Sequence, residues 1–291
     1  MQPLFYTVSH ASHLESKLGQ LFRIMTISSQ PQLFAEWIGW IGLNGLAALI
    51  TAATLLLTRL FDTRFFGWKI PSRAAAIGLG LGFLMRTAMY VQQLGAAWQA
   101  DYAAMRWLHY GNIVFAGVLL LSTCVWGETF LWTRLTAMLW LFLYIEEPVW
   151  TLTLHPQSEQ LFQTQLLPTL SPVNPYLGGV LLFEAVLMLL IGSIWFVNRP
   201  GMISPRPDTM SARVLAGWPL AYAVWAPTLA FMPFDHARGG IVVNMIWLAA
   251  WVIAMLVWRK HFNLAHRSNK VWLGICALLL VLLGLGYAMQ G

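Results

Sequence analysis

Charge is scarce in this chain. Only 10% of its 291 residues are charged, against 58% hydrophobic. Soluble domains carry roughly 25% charged residues, so an ordinary water-soluble fold is excluded and a bilayer environment is indicated. Cysteine is almost absent: Cys124 and Cys276 are the only two. They are too few for a disulfide framework and lack the paired spacing of a metal site, so each reads as a buried thiol in an apolar helix. No GxSxG, GxxxxGK[ST] or HExxH stretch occurs, which removes serine-hydrolase, P-loop and zinc-protease chemistry. Repeats, charge blocks and shifts of composition are also missing to the eye, so one transmembrane domain, 35–291, is expected after an external segment, 1–34.

What is present is apolar length. A helix needs about 20 apolar residues to cross a hydrocarbon core of roughly 30 Å. Eight runs qualify: Ala35 to Thr58, Ala74 to Ala97, Met105 to Trp126, Leu135 to Leu154, Tyr176 to Val197, Val214 to Met232, Gly239 to Trp258 and Val271 to Met289. The expected fold is all-α, a polytopic transmembrane helix bundle of about eight spanning helices. Leu14, Leu18, Leu21, Phe22 and Met25 recur at helical spacing behind a Ser12/Glu15 capping pair, which adds an N-terminal amphipathic helix on the outer membrane surface.

Orientation follows from lysine and arginine, which stay on the cytoplasmic side. Twelve of the seventeen fall in Arg59 to Arg73, at Arg134, in Arg199 to Arg213 and in Arg259 to Lys270. Both termini are therefore expected outside, in a protein of the bacterial inner membrane whose partner is the lipid bilayer. This asymmetry accounts for the net charge of +6, and nucleic acid is not an expected partner. Segment 155–175, with four prolines and no lysine or arginine, reads as an outer loop. Trp37, Trp40, Trp98, Trp107, Trp126, Trp150, Trp258 and Trp272, near helix ends, suit the interfacial aromatic belt.

Ionisable groups at membrane depth are costly and are functional candidates by default. Glu146, Glu147 and Glu184 fall roughly 10 to 12 Å below the outer surface at about 1.5 Å per residue. Arg86 lies slightly deeper, and Arg106 and His109 enter from the outer end of the third run. Arg86 and Glu184, at similar depth, are expected to pair. The stripe Gly78, Gly82, Arg86, Tyr90, Gln93 offers a polar face with small residues for close packing. The adjacent acids of "YIEEP" point about 100° apart, so they face different ways. Glu147 continues the stripe Thr136, Trp140, Tyr144 and Thr151, whereas Glu146 aligns with Leu139, Phe142, Leu143 and Val149. Glu147, beside the helix-breaking Pro148, is the expected bundle-facing acid.

"RWLHY", Arg106 to Tyr110, resembles the third helix of microbial rhodopsins, and Trp218 with Trp225 is similar to their sixth-helix aromatic pair. The seventh run carries no lysine for a Schiff base, so no covalent retinal is expected. "RWLH" is also similar to the haem-binding helix of membrane b-type cytochromes. The other histidines, His10, His13, His155, His236, His261 and His266, fall in loops or tails, so this chain alone is expected to hold no haem. "YIEEP" resembles the acidic motif of membrane carotenoid cyclases, which implies a carboxylic acid protonating a polyene. The reading drawn from these residues is a ligand-binding or accessory membrane subunit for a quinone-like or isoprenoid-like molecule or a partner subunit. Arg86, Tyr90, Arg106, His109 and Glu184 would form its site, with Glu146 and Glu147 as candidate acids. An acid-catalysed enzyme on a polyprenyl or carotenoid substrate is the runner-up, and a proton-coupled transporter the third.

Overall fold

The computed structural model describes residues 31–57, 67, 68, 70, 72–99, 101–127, 130–146, 148, 149, 152, 171–197 and 209–290. Every regular element among them is an α-helix: α1 Pro31–Leu56, α2 Arg73–Trp98, α3 Tyr102–Trp126, α4 Leu135–Glu146, α5 Pro175–Phe196, α6 Thr209–Ala230, α7 Phe234–Val257 and α8 Arg267–Ala288. The expected N-terminal amphipathic helix and the 155–170 loop lie outside the described residues. The observed helices begin up to five residues before the apolar runs, because a first turn can hold polar residues. Ser72, Asp101 and Asn174 cap α2, α3 and α5 by accepting hydrogen bonds from the backbone N–H groups of Ala75, Ala104 and Leu177.

Six helices, α1, α2, α3, α5, α7 and α8, are long and apolar enough to cross a membrane. Helix α6 has the length but carries Arg213, Tyr222, Pro219 and Pro227. It is buried on nearly all sides by its neighbours, so little of it has to be compatible with lipid. Helix α4 as described is about 18 Å long at 1.5 Å per residue, with Pro148, Val149 and Leu152 also helical beyond it. The outside of the helices is apolar, and the polar side chains they carry are largely buried within an apolar core. Leu46, Phe183, Leu190, Ile253 and Leu278 are exposed, while Asn44, Arg86, Gln93, His109, Asn112, Glu184 and Asn244 are buried. That arrangement is what a hydrocarbon solvent selects.

The two ends of the bundle are separately tied. At one, Arg73 donates to the carbonyls of Leu55 (2.8 Å) and Leu56 (2.6 Å), Trp68 bridges to Phe130, and the Trp68 indole donates to Ser211 at 3.2 Å. At the other, Asn174 donates to Gly286, Gln290 donates to Pro172, Phe234 donates to Ser171, and His236 meets Asp101 at 2.8 Å. The first end gathers the helix termini that border the basic segments.

Tryptophan placement departs from the belt expectation. Trp40, Trp107 and Trp272 are buried, and with Trp68, Trp218, Trp225, Trp247 and Trp251 they form an aromatic core. Their faces pack edge-on, as in Trp251 against Trp272 (5.5 Å) and Trp107 against Trp225 (6.0 Å). Proximity to a helix end specifies depth but not side, and these rings point inward. Among the described belt residues Trp98 is exposed and Trp258 half-buried. The cysteines also differ from expectation: Cys276 is buried, but Cys124 is exposed on the outside of α3.

A repeat invisible as sequence is plain as structure. Helix α1 packs chiefly on α2 and α5 chiefly on α6, while α2 crosses to α7 and α6 crosses to α3. The alternation of buried and exposed positions along 38–57 recurs almost residue for residue along 178–197, and that of 74–94 along 210–230. One constant spacing separates Arg106 from Arg238, Asn112 from Asn244, Trp126 from Trp258 and Trp140 from Trp272. The chain is thus two four-helix halves, α1–α4 and α5–α8, sharing one continuous core. Gly82 and Trp218 occupy equivalent positions and touch each other, which puts the pseudo-twofold axis between α2 and α6.

Glycine makes that contact possible. A Cβ at Gly82 would overlap the Trp218 indole, and one at Gly111 would overlap Trp225, whose Nε1 donates to the Leu108 carbonyl at 3.2 Å. Gly111→Leu is expected to cost at least about 1–3 kcal/mol through overpacking. Thermal melting in detergent should show it, while Gly117→Leu, in open space on the same helix, should melt like the parent.

Candidate functional site

The candidate site is built around Arg86, near the middle of α2. Helix positions 86 and 90 share a face, so Tyr90 lies one turn on, and the Arg86 Nη2 donates to its hydroxyl at 3.0 Å. The guanidinium carbon also stands 5.5 Å from the Tyr90 ring centre, 5.2 Å from that of Phe115 and 5.8 Å from that of Tyr144. Three ring faces from α2, α3 and α4 therefore surround one buried cation. Desolvated cation–π contacts contribute about 2 kcal/mol or more, which offsets part of the cost of burying the charge.

Beside Arg86 is a cleft, lined by Asn44, Ala48 and Thr51 from α1, by Phe83 and Arg86 from α2, and by Trp140, Leu143 and Tyr144 from α4. It is shallow, with about 20 Å³ of cavity volume, room for about one water molecule, and is partly open to the surroundings. Its walls, α1 and α4, carry the exposed Leu43, Leu46, Ile50, Leu139 and Phe142. The Asn44 Nδ2 donates to the Trp40 carbonyl at 3.1 Å, which leaves its second N–H and the amide oxygen. The site therefore sets a planar guanidinium beside a slot with apolar outer walls.

Arg86 and Tyr90 are brought together as their shared stripe implied. His109 is buried on α3, about 9 Å along the helix from Phe115. Arg106 belongs to α3, but its side chain lies outside the described residues. Glu146 ends α4 and is half-buried, and Glu147 lies outside the described residues. The expected Arg86–Glu184 pair is corrected. Glu184, fully buried on α5, accepts a 2.6 Å hydrogen bond from Asn244 Nδ2 on α7, in the other half of the molecule. Similar depth does not mean the same side, and α5 packs on α6 rather than on α2.

No protein-family profile, curated protein or solved structure matches this chain. The site itself must supply the functional argument. Sequence inspection passed over Asn44, Phe115 and Asn244 because they are neutral and a search for membrane-depth charge does not see them. Asn112 and Asn244 could have been found by their matched distances from Arg106 and Arg238.

Proposed function

We propose that this chain is a ligand-handling integral membrane protein whose α1–α2–α4 cleft binds the polar head of a bilayer-dissolved, quinone-like or isoprenoid-like molecule. The observation that carries this reading is Arg86 held by three aromatic rings beside a cleft between lipid-facing helix walls. A ligand of this kind reaches the site within the bilayer. Its tail lies against Leu43, Leu46 and Phe142, and a carbonyl, hydroxyl or carboxylate oxygen accepts from the guanidinium. Acid catalysis on a polyene is less well supported, because the ring faces that would stabilise a carbocation already serve Arg86. A transporter gains support from one observation, the parallel four-helix repeat, since such repeats underlie several carrier folds.

Two measurements test the reading. Native mass spectrometry of the protein purified in mild detergent should reveal a retained lipid with a small polar head, and decylubiquinone or farnesol should bind saturably. The absence of both would sink it. The proposed orientation, basic loops in the cytoplasm and both termini outside, is tested by reporter fusions. Those after Arg64, Pro205 and Asn263 should report cytoplasm, and one after Gln160 the outside; a cytoplasmic signal at Gln160 would overturn the map.

A further inference from the structure

The second half of the molecule carries the counterpart of the Arg86 cleft. By the repeat, Asn44 corresponds to Glu184, Arg86 to Tyr222, Asn112 to Asn244, Phe115 to Trp247 and Tyr144 to Cys276. The second set is likewise gathered. Asn244 donates to Glu184 at 2.6 Å, Tyr222 stacks on Trp247 with ring centres 4.4 Å apart, and Trp247 in turn meets Trp272, one turn before Cys276 on α8, at 6.4 Å. All five side chains are buried, as in the first set, but here the charged member is an acid.

Glu184 Oε1, Asn244 Oδ1 and Tyr222 Oη are buried and have no hydrogen-bond partner among the described residues. Three oxygens, one from a carboxylate, are left without a donor in a setting where such groups are almost always satisfied. We propose that these oxygens form an intramembrane site for one small monovalent cation, a proton or a sodium ion. Oxygen ligands suit a hard cation. Charge selects its valence, since one positive charge neutralises the carboxylate, whereas a divalent ion would leave a net buried charge and an anion would be repelled. Among the described residues, the titratable groups of this set besides Glu184 are Tyr222 on α6 and Cys276 on α8; α7 contributes the neutral Asn244 and Trp247.

The inference does not depend on what occupies the Arg86 cleft, and an Arg86→Met variant should keep the cation response. The test uses the full-length protein in detergent, melted in sodium chloride and in choline chloride at equal ionic strength, together with its infrared spectrum. If the cation is sodium, the melting temperature should rise by several degrees with sodium but not with choline. If it is a proton, a protonated-carboxyl C=O stretch should be present at neutral pH without sodium dependence. Either signal should be lost in Glu184→Gln. Should that variant not fold, Tyr222→Phe removes one oxygen and keeps the acid, and it should weaken sodium binding roughly tenfold or shift the carboxyl band. An ionised-carboxylate spectrum without a sodium response overturns the proposal, as does a signal unchanged by these substitutions.

Discussion

Arg86→Met is expected to lower the affinity for decylubiquinone or farnesol by roughly 100-fold, the equivalent of about 3 kcal/mol for a lost charge-assisted hydrogen bond in a desolvated site. Methionine fills much of the same volume and can lie against the Tyr90, Phe115 and Tyr144 rings, so packing changes less than chemistry does. Arg86→Lys keeps the charge but replaces a planar fork with a compact ammonium, and it should fall between the two. Tyr90→Phe removes the hydroxyl that accepts from Nη2 and should weaken binding only a few-fold, because the ring face remains. Melting curves for all three variants separate loss of binding from loss of fold. Parent-like affinity in a folded Arg86→Met would remove the site from consideration.

The spans were legible because hydrocarbon length imposes a pattern that composition cannot hide. The helix starts were less so, since capping residues such as Ser72 and Asp101 are polar and fall outside an apolar window. Which way a residue faces was legible where a stripe spans several turns, as with Arg86 and Tyr90. It was not legible where depth alone was the argument, and Glu184 found Asn244 instead of Arg86 for that reason. Trp107 and Trp272 lie near helix ends, where tryptophan is at home at the interface, yet both rings turn inward, Trp107 onto Trp225 beside Gly240 and Trp272 onto Trp251. The repeat is hard to see in the sequence because burial is preserved more widely than identity. Leu46 and Val186, or Ala52 and Gly192, match in environment while differing in residue type.

The repeat also bears on the two adjacent acids. At the constant spacing that relates Trp140 to Trp272 and Tyr144 to Cys276, positions 146 and 147 correspond to Leu278 and Leu279. Leu278 is exposed to the outside of the bundle and Leu279 is fully buried. In the first half, Trp140, Leu143 and Tyr144 all line the cleft beside Arg86, and the same helical stripe reaches position 147 one turn later in the sequence. The repeat supports the proposal that Glu147 is the functional acid; Glu146 ends α4 half-buried, with its Oε2 buried. Glu147→Gln is therefore expected to reduce binding of decylubiquinone or farnesol by an order of magnitude or more in a protein that still folds. Glu146→Gln should stay within about twofold of the parent. If Glu147 serves only to hold neighbouring helices together, its glutamine variant would show lowered expression and melting temperature along with any loss of binding. Equal binding by both variants and the parent would show that neither carboxylate takes part.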